Sequence, residues 1–372
     1  MTIVARFSVQ GHAFLVGDLM LSGIPMEGRP AIVPTISLNP LRFETTERMP
    51  RGLCQKLTII GDHIAIGWSS DNIAAAQDLF GELRLLNEFD RLTERSLNEH
   101  LSRQKSTLWD ELGIIGFIRE SSDRMRTFST NCWEFNSVEF GNVGAMGSGW
   151  KQVADYIDRE TVLPTHENRA LNAVELGISY SLQMMGSFLT SEIVSHDSLW
   201  NRYGAGYELA TVESGRFCKL PSATFIHWHA LYEGGESIRF FRTPLRAFRY
   251  AYYDDLLVVR AVEFEDDDIR AKYRHQTFPV RPVYRTLSHQ EKYEHQVPDM
   301  NGEWLCNYVY LHGLDFPPHI ITSIRHQPGK TPVVRFTESD GKLEVRVEPE
   351  FVETIDRQSK KIINRIVGNR AG

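Results

Sequence analysis

An α+β layered domain is the fold class this sequence predicts, and three features of its pattern point there. Short alternating runs come in pairs joined by turn residues, the signature of antiparallel hairpins. Helical periodicity also comes in pairs, between those hairpins. Nowhere do single strands alternate with single helices as a parallel βαβ sheet requires.

The elements follow in order. "TIVARFSV" puts Ile3, Ala5, Phe7 and Val9 on one side and Val4, Arg6 and Ser8 on the other, a half-buried strand. "QGH" turns the chain at Gly11, and "AFLVGDLML" returns as a second strand. Between Ser22 and Gly52, Pro25, Pro30, Pro34, Pro40 and Pro50 oppose ladder pairing and predict a long loop or insertion. "KLTII" and "HIAIGWS" flank Gly61-Asp62 as another hairpin. A helix follows, capped by Ser70 or Asp71, with Ile73, Ala76, Phe80 and Leu83 along one face. A second helix is expected from Leu92 to Leu112.

Strands at "GIIGFIRE" and "RTFSTNCWEF" flank "SSDR". The next strand ends in Gly147-Ser148-Gly149 and runs into a helix bearing Val153, Tyr156 and Ile157. Leu171, Val174, Ile178, Leu182 and Met185 mark a long helix, and "GAGYELATVESGRFCKLPSATFIHWHAL" reads as more hairpin. From about Glu233 the chain is rich in aromatic, β-like runs and closes with the helix-like "DRQSKKIINRIVGN". A boundary near residue 230 divides it into 1–230 and 231–372.

Composition bounds the function. A chain of 372 residues, 42% apolar and 24% charged, has enough material for one large core or two unequal ones. Its net charge of -7 supplies no global basic field, so neither nucleic acid nor a membrane is an expected partner. No run approaches the roughly 18 apolar residues of a membrane span, and no charged-then-apolar leader opens the chain. Cys54, Cys132, Cys218 and Cys306 are scattered, which argues against a zinc cage or disulfide framework and for reduced thiols in the cytoplasm.

Three segments carry a more specific signal: "TIVARFSVQGHAFLVGDLMLSG", "KLTIIGDHIAIGWSSDNIAAAQDLF" and "VGAMGSGWKQVADYI". In this order they resemble the signature stretches of the proteasome β-type N-terminal nucleophile hydrolases, including the bacterial peptidase that partners an ATP-driven unfoldase. The resemblance implies a four-layer αββα sandwich over 1–230, with a Pro-rich insertion at 22–52 and a β-rich C-terminal extension over 231–372. It also implies an N-terminal threonine amide hydrolase, a peptidase that needs no cofactor and forms a homo-oligomer such as a ring. Removal of Met1 would leave Thr2 with an α-amine of pKa roughly 7.7–8.0 beside its own hydroxyl, joining base and nucleophile in one residue. Asp18 would orient Lys56, whose charge favours the alkoxide. The Ser70 N–H would be the oxyanion donor, and Ser148 would match the accessory serine near the amine.

Asn201 and Gly204 stand where the family has an aspartate and a serine, and Met20 where some members have arginine. Those departures define the alternative, a catalytically silent scaffold or sensor subunit; a small-molecule amidase is a third reading. Three other motifs have plainer explanations. His227 and His229 in "HWH" have no acidic or cysteine partner nearby for a metal, "GAMGSG" lacks the lysine of a phosphate loop, and "EFEDDD" at 263–268 lacks the alternation of a calcium loop.

Overall fold

β1 (Val4–Val9) and β2 (His12–Asp18) form the hairpin that the opening alternation predicts, turning at Gln10 and Gly11, both in the left-handed region. The computed structural model describes residues 2–23, 33–36, 49–103, 112–121, 124–159, 171–235, 237–265, 270–284, 295–313, 316–327 and 332–370. After β2 come β3 (Met20–Gly23), a 3-10 turn at Pro34–Ile36 and β4 (Met49–Gln55). The Pro-rich stretch is therefore not all loop. β3 and β4 pair across its ends, with a bulge where Pro50, which has no N–H to give, meets Ser22.

β5 (Leu57–Ile60) and β6 (Ile64–Ser69) form the next hairpin, turning through three residues rather than two. α1 (Ile73–Phe89) is capped by Asn72, whose side chain accepts the Ala75 N–H at 3.2 Å, and not by Ser70 or Asp71. α2 spans Glu94–Arg103; the remainder of the helix expected to Leu112 falls largely on 104–111, outside the described residues. β7 (Gly113–Ser121), β8 (Arg124–Thr130), β9 (Trp133–Ser137) and β10 (Gly141–Met146) lead to α3 (Trp150–Arg159), α4 (Ala173–Ser195) and α5 (Asp197–Trp200). β11 (Tyr207–Glu213), β12 (Arg216–Lys219), β13 (Ser222–Gly234) and β14 (Ser237–Phe240) follow, and residue 230 lies inside β13. The chain continues through β15 (Arg246–Tyr253), β16 (Leu256–Phe264), β17 (Arg270–Pro282), β18 (Trp304–Gly313) and β19 (Phe316–His326). β20 (Val334–Ser339), β21 (Lys342–Val347) and α6 (Pro349–Arg370) close it.

The strands form three sheets. One is antiparallel, in the order β12-β11-β2-β1-β10-β9; a second is β5-β6-β7-β8. The third has eleven strands along β19-β18-β13-β15-β16-β17-β21-β20, with β14 beside β13 and the β3–β4 pair joined to β17. Val4, Leu15 and Ala210 of the first sheet pack on Leu57, Ala65 and Ile115 of the second. Trp68 and Ile66 on the second sheet's other face pack beneath Leu79, Phe80 and Leu83 of α1.

This architecture corrects the expected four-layer αββα sandwich with an extension. Half of the described residues are in strands and 28% in helix, in three sheets and six helices. α4 is the reason: it packs on β1, β2 and β11 on one side and on β18 and β19 on the other, an interior layer where an outer one was expected. The spacing of Leu171, Val174, Ile178, Leu182 and Met185 marks a single apolar face on α4, but the helix is buried nearly all round, with Ser179, Ser181, Gln183, Thr190 and Glu192 among its buried residues. Nor are the C-terminal strands an appendage, since the largest sheet draws in β3 and β4 from the N-terminal half.

Two glycines of α4 make both contacts possible. Gly177 and Gly186 lie nine residues apart, half a revolution around the helix beyond two full turns. A Cβ on Gly177 would sit 2.0 Å from Phe14 on the six-stranded sheet, and one on Gly186 would sit 1.8 Å from the ring of Tyr308 on the eleven-stranded sheet. Tyr308 has nowhere to go, being fully buried with its hydroxyl donating to the Leu182 carbonyl at 2.5 Å. Gly186→Ala is therefore expected to lower unfolding free energy by about 1–3 kcal/mol. Gly81→Ala, on α1 with open space around it, should raise stability by about 0.5–1 kcal/mol. Urea midpoints of the two variants, moving in opposite directions, check the packing.

Candidate functional site

The β1–β2 register brings Thr2 and Asp18 together. Val4 faces Gly17, so Asp18 comes opposite Ile3, whose carbonyl accepts the Asp18 N–H at 2.9 Å. Thr2, one residue further out, donates its hydroxyl to Asp18 Oδ1. The other carboxylate oxygen, Oδ2, accepts the Gly204 N–H at 2.8 Å. Both side chains are fully buried.

Lys56 sits where the chain leaves β4 for β5, and is 1% exposed. Gly17 lets it approach: a Cβ there would stand 3.1 Å from the Lys56 Cβ and 3.0 Å from Leu57. That is the physical role of glycine in the Val-Gly-Asp-Leu stretch. The Lys56 ammonium lies over the Trp68 ring, 4.1 Å from its centroid, and the nearby Asp18 and Glu208 charges also favour it. The hydrogen bonds of Asp18 run to Thr2 and Gly204, and its coupling to Lys56 is through charge.

The Gly147-Ser148-Gly149 turn wraps Thr2. Gly147 has φ of 84°, and a Cβ on it would be 2.0 Å from the Thr2 carbonyl oxygen. The Gly149 N–H donates to that same oxygen at 3.2 Å. The glycines thus serve close backbone approach to Thr2. Ser148 Oγ is buried beside them with no hydrogen-bond partner among the described residues. Ser70 Oγ accepts the Asn72 N–H at 2.9 Å, leading into α1. Ser70 and Ser148 line one cavity of about 390 Å³, together with Ser69, Asp71, Gly147, Trp133 and Trp150. Thr2, Asp18 and Lys56 are buried and do not line this cavity, although Gly147, which does, lies against the Thr2 carbonyl.

Burial sets the electrostatics. It pushes the Asp18 carboxyl up to about 6, against the opposing pull of Lys56, the Thr2 hydroxyl and the Gly204 N–H. It also pulls the Lys56 ammonium down, opposed chiefly by Asp18.

Two buried carboxylates hold this arrangement and escaped the sequence reading. Glu208 on β11 accepts the Lys56 and Leu57 N–H groups at 2.5 and 2.8 Å, pinning the start of β5. Lys219 and the Tyr252 hydroxyl, both at 2.8 Å, complete its bonding. Glu192 on α4 accepts from Thr35, from Ser198 Oγ at 2.8 Å and from the Ala205 N–H at 3.0 Å. It thereby fixes the turn that presents the Gly204 N–H to Asp18. Burial pushes its carboxyl up to about 7, against those three bonds. A lone acid within the apolar run "MMGSFLTSEIV" was the available signal for Glu192, since such an acid is buried only with partners.

The departures from the family pattern also have structural explanations. Gly204, with φ of 116°, works through its backbone, and a Cβ there would strike Glu192 at 1.8 Å. Asn201 is exposed at the end of α5. Met20 packs with Val33, Ile36 and Leu199.

A larger cavity, about 740 Å³, lies at the opposite end of the β1–β2 hairpin near Gly11, His12 and the start of α4, and none of the five expected residues lines it. Among the described residues no group of three or more His, Cys, Asp or Glu is placed to hold a metal. His227 bonds Thr190 and His229 lies against His312. No helix among the described residues is long and apolar enough to cross a membrane. No protein-family model matches the sequence, and no curated protein matches it.

Proposed function

We propose that this chain is an N-terminal threonine amide hydrolase, a peptidase resembling proteasome β-type subunits. The observation that carries the reading is the buried Thr2 hydroxyl donating to Asp18, enclosed by the Gly147-Ser148-Gly149 turn and neighboured by the Lys56 charge. Cutting the peptide bond before Thr2 frees its α-amine. The hydroxyl attacks the amide carbonyl, its proton passes to that amine, and Asp18 orients the hydroxyl throughout. Lys56 stabilises the negative charge that develops on the threonine oxygen, and the Ser70 N–H that on the carbonyl oxygen. The amine, in its protonated form, then protonates the leaving group, and water releases the acyl group from Thr2. A homo-oligomer, ring-like as in the family it resembles, belongs to the same proposal.

The test joins mass and chemistry. Intact-mass measurement identifies the chain that begins at Thr2, and a β-lactone or epoxyketone probe is then expected to add once, on Thr2. Thr2→Ala should form no adduct and lose hydrolysis by at least about 10³-fold. A correctly processed chain that takes up no probe and cleaves no amide would leave the scaffold reading in its place.

A further inference from the structure

We infer that His229 and His312 form a two-imidazole site on the eleven-stranded sheet for a divalent late first-row transition cation, Cu²⁺ ahead of Zn²⁺ or Ni²⁺. The parallel pairing of β13 with β18 assembles it: His229 is the register partner of Tyr310, and His312 lies two residues further along the same face of β18. The second ligand that "HWH" lacks locally thus comes from a distant strand. The two rings have centroids 5.0 Å apart and planes 55° apart. A cation held by two imidazole nitrogens at about 2.0–2.1 Å stands about 3.2 Å from each ring centroid, which puts the centroids about 4.5 Å apart for a right-angled pair and about 5.2 Å apart for a tetrahedral one. The observed spacing falls between the two.

Both rings are held in place while their nitrogens stay uncommitted. The Tyr310 ring lies 6.1 Å from His229 and 5.4 Å from His312, and Phe241 lies 6.0 Å from His229. A bulge in the β18–β19 pairing falls at His312, and bulges re-aim side chains. No hydrogen bond to either imidazole occurs among the described residues, whereas His227, two residues before His229, bonds Thr190. Both histidines are half-buried, so water can reach them.

Donor chemistry selects the ion. Burial first, and then the charge of His312, holds the His229 imidazolium down, which leaves that ring neutral and its lone pair available at neutral pH. Two neutral nitrogens suit Cu²⁺, Ni²⁺ and Zn²⁺, with Cu²⁺ leading, whereas Mg²⁺ and Ca²⁺ require oxygen ligands. Among the described residues no third His, Cys, Asp or Glu joins the pair, so water completes the coordination and the cation is exchangeable. Arg239 of β14 is drawn onto the Phe241 ring, 5.0 Å from its centroid.

The metals themselves are the probes. Substoichiometric Cu²⁺ added to the full-length chain is expected to give an electron paramagnetic resonance spectrum coupled to two imidazole nitrogens. Zn²⁺ calorimetry should show a site that His229→Phe and His312→Phe each weaken at least about 10-fold, with circular dichroism verifying that both variants fold. Phenylalanine keeps a ring in the cluster and removes only the nitrogens. His319→Ala, on the opposite face as the register partner of Leu311, should leave the site unchanged. Coupling to fewer than two nitrogens in the wild type would overturn the site, and that spectrum decides by itself should a variant fail to fold. Zn²⁺ binding that neither phenylalanine variant weakens, an equal loss in His319→Ala, or Mg²⁺ bound as tightly as Zn²⁺ would overturn it as well.

Discussion

A Lys56→Met chain is expected to unfold at much lower urea than the wild type, with a deficit of about 3–5 kcal/mol at pH 8. The reason is what the substitution leaves behind. Asp18 is fully buried, and its two bonds, from Thr2 and Gly204, come from neutral donors. Lys56 is the strongest charge holding its carboxyl down, so without the ammonium the folded-state pKa of Asp18 rises above its present value of about 6. An acid whose folded pKa lies above its unfolded value costs stability as pH climbs from the unfolded value to the folded one. Raising the upper end of that window adds cost mainly above pH 6, so the deficit should be smaller at pH 5 than at pH 8. Asp18→Asn/Lys56→Met removes both charges together and should recover a large part of the loss, a coupling that a double-mutant cycle reads directly. A double variant no more stable than Lys56→Met would show that Lys56 contributes through its stem packing on Trp68. On the hydrolase reading the same single substitution also slows turnover by about 10²–10³-fold, while the stability result stands apart from any activity.

How much of this was legible in the sequence depends on how local each contact is. The Thr2–Asp18 pair follows from one hairpin. With a turn at Gln10–Gly11, antiparallel register alone puts residues 2 and 18 at the same end. Alternation and turn residues likewise found β5, β6 and the strand leading into Gly147. The placement of Lys56 needed more, because the Pro-rich stretch separates it from Asp18 in sequence, and the Glu208 bonds from β11 together with the Trp68 N–H on the Lys56 carbonyl fix it in space. What escaped entirely was non-local. β4 pairs with β17 more than two hundred residues away, and β13 runs parallel to β18, neither of which leaves a short-range pattern. The α4 error was of another kind. Periodicity finds the face that buries most strongly, and a helix with sheets on both sides offers no contrasting polar face by which to recognise the second contact.

Glu192 supplies the other large effect, expected as a pH dependence of stability that Glu192→Gln removes. Its carboxyl moves from 4.5 to about 7 on folding because burial disfavours the charge more than Thr35, Ser198 and Ala205 favour it. Below pH 4.5 both states hold the proton and the group contributes no slope. Between 4.5 and 7 the unfolded chain ionises while the folded chain keeps its proton, so stability falls as pH rises; above 7 both are ionised and the loss is complete. At 1.36 kcal/mol per unit, that window amounts to about 3 kcal/mol. Glutamine cannot ionise, yet its amide oxygen can still accept from Ala205 while its NH₂ faces the rotatable hydroxyl of Ser198. Urea unfolding at pH 5 and pH 8 should therefore show the variant gaining on the wild type by up to about 3 kcal/mol across the interval, while the smaller loss from Asp18 is present in both chains and largely subtracts out. Parallel wild-type and variant profiles would mean that Glu192 is charged throughout. The turn carrying Gly204 would then be held to α4 by an ionised carboxylate rather than a neutral acid, and Asp18 would sit near a second negative charge even at pH 5.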